Sequence, residues 1–153
     1  MTAAQPQSTL RIARTDAATV RPLRNAVLRP GRPPEEVTYA ADPRATHLAA
    51  YDAGEEVVGV ATVFPQAHPV TGAAGWRLRG MAVAEPMRGS GCGGQLLSAV
   101  LDHITDEGGT LLWCNARVGV LGFYQRYGLV VDSEIFEVPG GGPHRRMRRE
   151  LVR

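Results

Sequence analysis

The sequence contains few cysteines and no long apolar run. Its two cysteines, Cys92 and Cys114, are far apart and form no CxxC pair, so neither a disulfide framework nor a zinc site is expected. No stretch approaches the about 18 apolar residues of a membrane helix, and the N-terminal MTAAQPQST has no apolar signal core. We therefore predict a cytoplasmic protein without a membrane partner or a bound metal.

The chain also lacks a strong charge of either sign. Lys and Arg number 17 and Asp and Glu number 15, which leaves a net charge of +2. A charge this small does not by itself indicate nucleic-acid binding, and we expect no nucleic-acid partner. The longest basic run, HRRMRRE at residues 144–150, is interpreted as the polar edge of a last strand.

The remaining composition is that of an ordinary globular protein. Hydrophobic residues make up 44% and charged residues 21% of 153 residues, which suits one domain with one core. We predict a single domain over residues 1–153, in which the small and polar residues 1–9 form a loose N-terminus.

Apolar periodicity predicts a mixed α/β sheet with helices on both faces. The predicted order is strand, helix, three antiparallel strands, helix, strand, helix and two strands. The first helix has Thr15 or Asp16 as its N-cap. Alternation in WRLRGMAV, residues 76–83, predicts one face with Trp76, Leu78, Gly80 and Ala82 and the other with Arg77, Arg79, Met81 and Val83.

The stretch RGSGCGG, residues 88–94, has four glycines and is followed at once by an amphipathic helix. Glycine costs about 0.5–1 kcal/mol relative to alanine inside a regular element, so the cluster predicts a sharply bent loop. A strand, a glycine turn and a helix together expose backbone N–H groups at the positive end of the helix, where anions bind. We predict a phosphate-bearing cofactor held by these amides and Arg88.

Two nucleotide-binding loops are less compatible with this stretch. A Walker A loop ends in GKS or GKT, whereas this loop continues as Gly93-Gly94-Gln95. The letters GSGCGG match the dinucleotide pattern GxGxxG, but they follow three antiparallel strands rather than opening a first βαβ unit. A surface turn without a ligand is the remaining alternative.

The longer stretch MAVAEPMRGSGCGGQLL resembles motif A of the GNAT N-acetyltransferase superfamily. Arg88, Gly91 and Gly93 match its pattern of Arg or Gln, two residues, Gly, one residue, and Gly or Ala. GFYQRYGL, residues 122–129, is similar to a second landmark of that family, and the order of landmarks and strands agrees over nearly the whole chain. The tail EIFEVPGGGPHRRM further resembles the bacterial ElaA- or YjcF-like branch.

The resemblance implies a mostly antiparallel sheet of six to seven strands, splayed between the fourth and fifth, that binds acetyl-CoA as co-substrate. It implies that the strand backbone of Met81, Ala82 and Val83 binds the pantetheine arm, to which Asn115 also contributes where the family's usual asparagine is replaced by Arg117. The pyrophosphate is expected on the backbone amides of Arg88, Gly89, Ser90, Gly91, Cys92, Gly93 and Gly94.

The resemblance also assigns Tyr124 as the catalytic acid that protonates the departing thiolate. A tyrosine, with a pKa of about 10, stays protonated at pH 7 and is well matched to a thiol of about 8.5. The structural alternative is a core aromatic residue beside Phe123.

The general base is left open by the sequence. Arg77 and Arg79 occupy the part of the fourth strand where many relatives carry a glutamate base, and neither can accept a proton. They indicate an anionic acceptor or a contact with a CoA phosphate, unless they lie on a solvated face. The remaining candidates for the base are His68, Glu134, Glu137, His144 or water.

Together these features predict an N-acetyltransferase that transfers an acetyl group from acetyl-CoA directly to a primary amine of a small molecule or peptide. Residues 29–44 and 140–144 are expected to line the acceptor cleft. Dimers are common in the family, so a homodimer is one expectation. The alternative function is a non-catalytic CoA-binding sensor or interaction module on the same fold.

Overall fold

The structure, a computed structural model, describes residues 10–151, and the predicted loose terminus at residues 1–9 lies outside this range. The strands are β1 Arg11–Thr15, β2 Thr46–Tyr51, β3 Val57–Pro65, β4 Trp76–Val83, β5 Leu111–Arg117, β6 Val130–Val131, β7 Phe136–Val138 and β8 Gly142–Glu150. The helices are α1 Ala17–Leu28, α2 Cys92–Asp106 and α3 Leu121–Arg126.

All strands form one sheet in the order β1-β2-β3-β4-β5-β8-β6, and β7 also pairs with β8. Only β4 and β5 run parallel; the other pairs are antiparallel. The predicted mixed, mostly antiparallel sheet is therefore confirmed, with eight strands in place of six to seven. The additional strand arises because the stretch 129–138 is interrupted after Asp132. The Arg146 amide donates to the Ser133 hydroxyl at 2.8 Å, and the register with β8 shifts between Val131↔Met147 and Phe136↔His144.

The helices lie on both faces of the sheet. The cap of α1 is Asp16, whose side chain accepts a hydrogen bond from the Thr19 amide at 2.8 Å, and Thr15 belongs to β1. On the other face, α2 buries a stripe of residues at helical spacing against the sheet: Leu96, Leu97, Val100 and Ile104. No helix within residues 10–151 has the length and apolar character needed to span a membrane.

A buried ion pair joins α1 to the segment that follows it. The Arg24 side chain is completely inaccessible to solvent, and its guanidinium donates to both Asp42 carboxylate oxygens at 2.9 and 3.2 Å. It also donates to the Val37 carbonyl at 2.6 Å and the Thr62 hydroxyl at 2.7 Å. Burial would raise the pKa of Asp42, but hydrogen bonds from Arg24 and the Tyr39 amide outweigh it and lower the pKa.

A β-bulge in β4 accommodates the buried Arg24 guanidinium. The register with β3 passes from Thr62↔Arg79 to Val60↔Ala82, which leaves an extra residue in β4. Gly80 has a φ of +65°, and a Cβ atom there would lie 2.7 Å from Arg24 Nε. A side chain at residue 80 would therefore collide with the ion pair.

The bulge corrects the predicted alternation of β4. Gly80 and Ala82 lie on the α1 face, whereas Leu78 packs in the core beneath α2. Met81 and Val83 also contact the α2 core, while Arg79 stacks on Tyr39 on the α1 face. The predicted face shared by Arg77, Arg79, Met81 and Val83 is wrong because an inserted residue reverses the alternation.

Replacing Asp42 by Asn should leave a buried, unpaired guanidinium and lower the free energy of unfolding by about 3–5 kcal/mol. Urea unfolding at pH 7 measures this. Since the folded-state pKa of Asp42 is lowered, its stabilisation is present above the unfolded value of about 3.9 and is lost as the pH falls. The difference in the free energy of unfolding between variant and wild type should therefore narrow in acid.

Glu55→Gln, which breaks the exposed pair with Arg11, is the control and should lower the free energy of unfolding by less than about 1 kcal/mol. An equal loss in both variants would contradict the prediction.

Candidate active site

The parallel strands β4 and β5 are paired over three residues and then separate. Pairing runs from Trp76↔Leu112 to Leu78↔Cys114. Beyond Leu78, β4 continues in register only with β3, and beyond Cys114, β5 continues only with β8. Backbone N–H and C=O groups on the facing edges of this wedge therefore lack a strand partner and are available to an amide-containing ligand.

The residues expected to bind a pantetheine arm lie along this wedge. Met81, Ala82 and Val83 form the end of β4 beyond its last pair with β5. Asn115 is the first residue of β5 beyond that pair, and its side chain is half-buried without a hydrogen bond to any residue in 10–151. The wedge thus brings the predicted pantetheine contacts on both strands to one opening.

The glycine loop lies between the end of β4 and α2. Gly89 and Gly91 have φ angles of +81° and +92°, and Gly91 is the N-cap of α2. The amides of Arg88 and Ser90 donate to the carbonyls of Glu85 and Met87, and the Cys92 amide makes a long contact of 3.4 Å with Ser90 Oγ.

Four other amides in the loop make no hydrogen bond within the part of the chain that the structure describes. They belong to Gly89, Gly91, Gly93 and Gly94. The Arg88 side chain is exposed beside them and has no carboxylate partner in residues 10–151. The loop therefore combines unpaired N–H donors, a helix N-terminus and a free guanidinium, which is suitable for a diphosphate.

Two glycines of this loop have an additional structural role. A Cβ atom at Gly94 would overlap the Tyr127 hydroxyl, and one at Gly93 would lie 3.2 Å from the Phe123 ring. These two glycines let α3 pack closely against the first turn of α2. Cys92 is 1% exposed and its thiol, whose pKa is raised by burial, packs in the core, so only its backbone faces the loop.

Tyr124 lies on α3 and reaches the wedge from the α2 side. Its side chain is buried in the core, and its hydroxyl is 3.7 Å from the Met81 sulfur at the start of the wedge. Burial raises the pKa of Tyr124, so the hydroxyl stays protonated at neutral pH. The arrangement provides a proton donor at the wedge whose only hydrogen-bond contact in the described residues is a weak one to sulfur.

The sequence left several groups open as the base, and three of them are poorly placed. His68 is buried, with Nε2 at 2.7 Å from Asp132 and Nδ1 accepting from the amides of Val70 and Thr71. Both of its ring nitrogens are thus engaged. Glu134 and Glu137 are exposed, and Glu137 points to the sheet face opposite its neighbour Phe136.

His144 is placed differently. It pairs with Arg117 where β5 ends at the open side of the wedge, and its ring stacks with Phe136. Nδ1 lies 2.9 Å from the Gly142 carbonyl, to which it can only donate. In the neutral ring, Nε2 is then the acceptor, and it has no hydrogen-bond partner among residues 10–151.

The segments expected to line the acceptor cleft meet on the α1 face. Arg29, which follows α1, lies close to Gly140 and Gly141 of the β7–β8 turn, and Gly141 lies close to the His144 ring. Tyr39 lies between the guanidiniums of Arg24 and Arg79, at 4.1 and 3.9 Å from its ring centre. Sequence analysis missed Tyr39 because a single aromatic residue in a proline-rich loop carries no periodic signal.

The basic run of β8 is largely occupied by internal contacts. Arg146 donates to the carboxylate and carbonyl of Asp132, and Arg145 donates to the Ser133 carbonyl. Arg149 donates to the Tyr127 carbonyl. These bonds hold the end of the sheet and α3 together. The run does form the last strand, but β8 pairs with β5 on one side and with β6 and β7 on the other, so it does not lie at an edge of the sheet. Within residues 10–151, no group of three or more potential metal ligands comes together.

Comparison with known sequences identifies a family and a curated relative. Residues 17–129 match the model of the acetyltransferase (GNAT) family. The chain is 33% identical over 132 residues to the uncharacterized N-acetyltransferase YitI of Bacillus subtilis, an alignment that covers 84% of this chain and 88% of the relative.

Solved structures share the fold at lower sequence identity. Escherichia coli ElaA superimposes with a TM-score of 0.75 at 22% identity, over 92% of this chain and 98% of ElaA. A GNAT family acetyltransferase from Elizabethkingia anophelis with acetyl-CoA bound superimposes with a TM-score of 0.72 at 21% identity, over 94% of this chain and 99% of the other. Both likenesses concern the fold.

Proposed function

Because the chain belongs to the acetyltransferase (GNAT) family, we propose that it transfers an acetyl group from acetyl-CoA directly to a primary amine of a small molecule or peptide. The observation that carries the proposal is the pairing of two features at one end of the sheet: the wedge between β4 and β5, and the glycine loop with its four unpaired amides. A cofactor with two amides in its arm and a diphosphate requires both features.

The amides of the loop bind the diphosphate, and the backbone of Met81, Ala82 and Val83 binds the arm. Arg88 adds a positive charge next to the phosphates. The thioester is then directed into the wedge towards Tyr124, where the amide of Val83 or a neighbour polarises its carbonyl oxygen. Asn115 contacts the arm from β5.

Tyr124 is the acid in this mechanism. The amine nitrogen forms the new amide bond while the carbon–sulfur bond breaks, and the Tyr124 hydroxyl gives its proton to the departing sulfur. The raised pKa of Tyr124 ensures that the proton is present at neutral pH. A weak sulfur contact at 3.7 Å leaves the hydroxyl free to reorient towards the thiolate.

His144 is the proposed base. An amine attacks only after it has lost a proton, which costs about 4.6 kcal/mol at pH 7 for a lysine-like amine and about 1.4 kcal/mol for an α-amine near 8. The orientation of His144 supports the role, since Nδ1 is held by the Gly142 carbonyl while Nε2 is unpartnered. An ammonium ion loses two protons as it becomes an amide. His144 takes the first before attack, and the second, left on nitrogen after attack, replaces the proton that Tyr124 gives to sulfur. One proton per turnover then leaves His144 to solvent.

We expect Gly89→Asp to lose most of the thermal stabilisation by acetyl-CoA or CoA, because it places a carboxylate beside the unpaired amides. Gly89→Asn is the matched control, which has the same shape without the charge. No atom lies within 4 Å of a Cβ added at this position, and Asp and Asn tolerate the φ of +81° better than most other residues do. For wild type, a ligand at about 100 times its dissociation constant adds about 2.7 kcal/mol. Thermal melting with acetyl-CoA, CoA and NAD measures the effect; a shift with NAD alone, or equal CoA shifts in both variants, would refute the loop assignment.

Tyr124→Phe removes the proton donor but keeps the buried ring, so kcat should fall by about 10²–10⁴-fold with little change in the KM for acetyl-CoA. Release of the CoA thiol in steady state measures the rate, and thermal melting verifies the fold. Tyr51→Phe, at the end of β2 beside Arg11, is the control. A Tyr124→Phe enzyme with the wild-type kcat would exclude the acid role of Tyr124. A wild-type protein that binds CoA but acetylates no amine would favour the alternative function, a non-catalytic CoA-binding module.

His144→Gln can no longer accept the proton, so kcat/KM should fall most near neutral pH and less as the pH approaches the pKa of the amine, where the free amine needs no base. His103→Gln on α2, where Nε2 is bonded to Thr46 at 3.1 Å, provides the control and should keep the wild-type profile. The measurement is kcat/KM for one amine from pH 5.5 to 9. A kcat/KM equal to that of wild type throughout this range in His144→Gln would mean that water, not His144, takes the proton.

A further inference from the structure

Three guanidiniums on the α1 face of the sheet have no carboxylate partner within residues 10–151. They belong to Arg77 and Arg79 of β4 and Arg117 of β5. The nearby acids are already paired: Asp42 with Arg24, and Glu36 with Arg29 and Arg32. The acceptor side of the wedge thus carries an excess of positive charge.

Each of these guanidiniums is held in place by the surrounding residues. Arg79 stacks 3.9 Å above the Tyr39 ring, and Arg77 stacks 4.9 Å from the centre of the Trp113 ring. Arg117 donates to the Leu28 carbonyl at 2.7 Å, at the end of α1. Stacked and hydrogen-bonded guanidiniums lose less conformational freedom when they bind a ligand than free ones do.

A simple solvated face does not explain the cluster. Burial, with repulsion from Arg79, lowers the pKa of Arg77 to about 10, and the Nε atom of Arg77 is buried without a hydrogen-bond partner. Burial, with repulsion from Arg29, also lowers the pKa of Arg117. Solvent does not fully hydrate Arg77 and Arg117, whereas Arg79 is exposed and accessible to a ligand. A bound anion would therefore relieve the desolvation and the repulsion between Arg77 and Arg79.

A phosphate of CoA is not the natural partner for this cluster. The glycine loop leads into α2, and α2 packs on one face of the sheet. Arg79 contacts Tyr39, and Arg117 contacts the end of α1, both on the other face. The bulge at Gly80 separates the two sides along β4 itself, because Met81 and Val83 face α2.

We propose that the acceptor is a small amine that carries an anionic group, a carboxylate or a phosphate, and that Arg79 binds this group together with Arg77 or Arg117. The inference rests on the proposed acetyl transfer and specifies its substrate class. A guanidinium binds both oxyanions through two parallel N–H donors. The same positive charges disfavour an ammonium ion next to them and so promote loss of the proton that must precede attack.

The test compares amines that differ only in the anionic group. Glycine is paired with glycinamide, phenylalanine with phenylalaninamide, and aminoethyl phosphate with ethanolamine. Rates of acetyl-CoA-dependent CoA release are measured for wild type, Arg79→Gln, Arg77→Gln, Arg117→Gln and the control Arg14→Gln, an exposed arginine of β1. Isothermal titration of each amine into the CoA-loaded protein provides a readout that does not require turnover.

In wild type, at least one anionic amine should be preferred over its neutral partner by about tenfold or more, as a charge-assisted hydrogen bond predicts. The preference should fall towards unity in Arg79→Gln and in either Arg77→Gln or Arg117→Gln, whichever is the partner of Arg79, and it should remain in Arg14→Gln. The amino-acid and aminoethyl phosphate pairs distinguish a carboxylate from a phosphate. Equal or better use of neutral amines by wild type, or a preference that survives Arg79→Gln, overturns the inference.

Failure of the inference is distinguishable from failure of the proposed function. If neutral amines are acetylated in preference, transfer stands and only the anionic acceptor is rejected. If no amine is acetylated, the titrations still decide, because binding of anionic amines that depends on Arg79 supports the inference and its absence rejects it.

Discussion

The buried guanidinium of Arg24 is the constraint on which the rest of the site depends. It lies between α1 and the sheet with no solvent exposure, and it binds Asp42, the Val37 carbonyl and Thr62. A charge in that position is tolerated only when it has a counter-ion and hydrogen-bond acceptors, so the segment after α1 must fold back over the sheet to supply them. The segment of residues 29–44, which is expected to line the acceptor cleft, is therefore held by the core rather than by surface contacts.

The same guanidinium explains the bulge at Gly80 and the two-sided chemistry of β4. Because a Cβ atom at this position would collide with Arg24 Nε, the strand carries a glycine with positive φ and an extra residue there. Before the bulge, Arg77 and Arg79 face α1. After it, Met81 and Val83 face α2, next to Tyr124. One strand thus presents positive charge to one side of the wedge and apolar surface with a neutral proton donor to the other.

The sequence alone predicted those features that depend on a single helix or loop. The stripe from Leu96 to Ile104 predicted α2 and its buried face, because helical spacing alone selects which side chains meet the sheet. The stretch RGSGCGG predicted a bent loop with exposed amides. It did not reveal that Gly93 and Gly94 also let the rings of α3 pack closely, since those rings lie about 30 residues away in the chain.

By itself, the sequence determined the order of the elements, the position of the glycine loop before α2 and the landmarks by which the GNAT resemblance was recognised. Tertiary structure decided which way the β4 side chains point, because one bulged residue reverses a period-two pattern. It also decided that His68 is bound at both nitrogens while His144 keeps one free. Such outcomes depend on partners from distant strands, and a pattern of neighbouring residues carries no information about them.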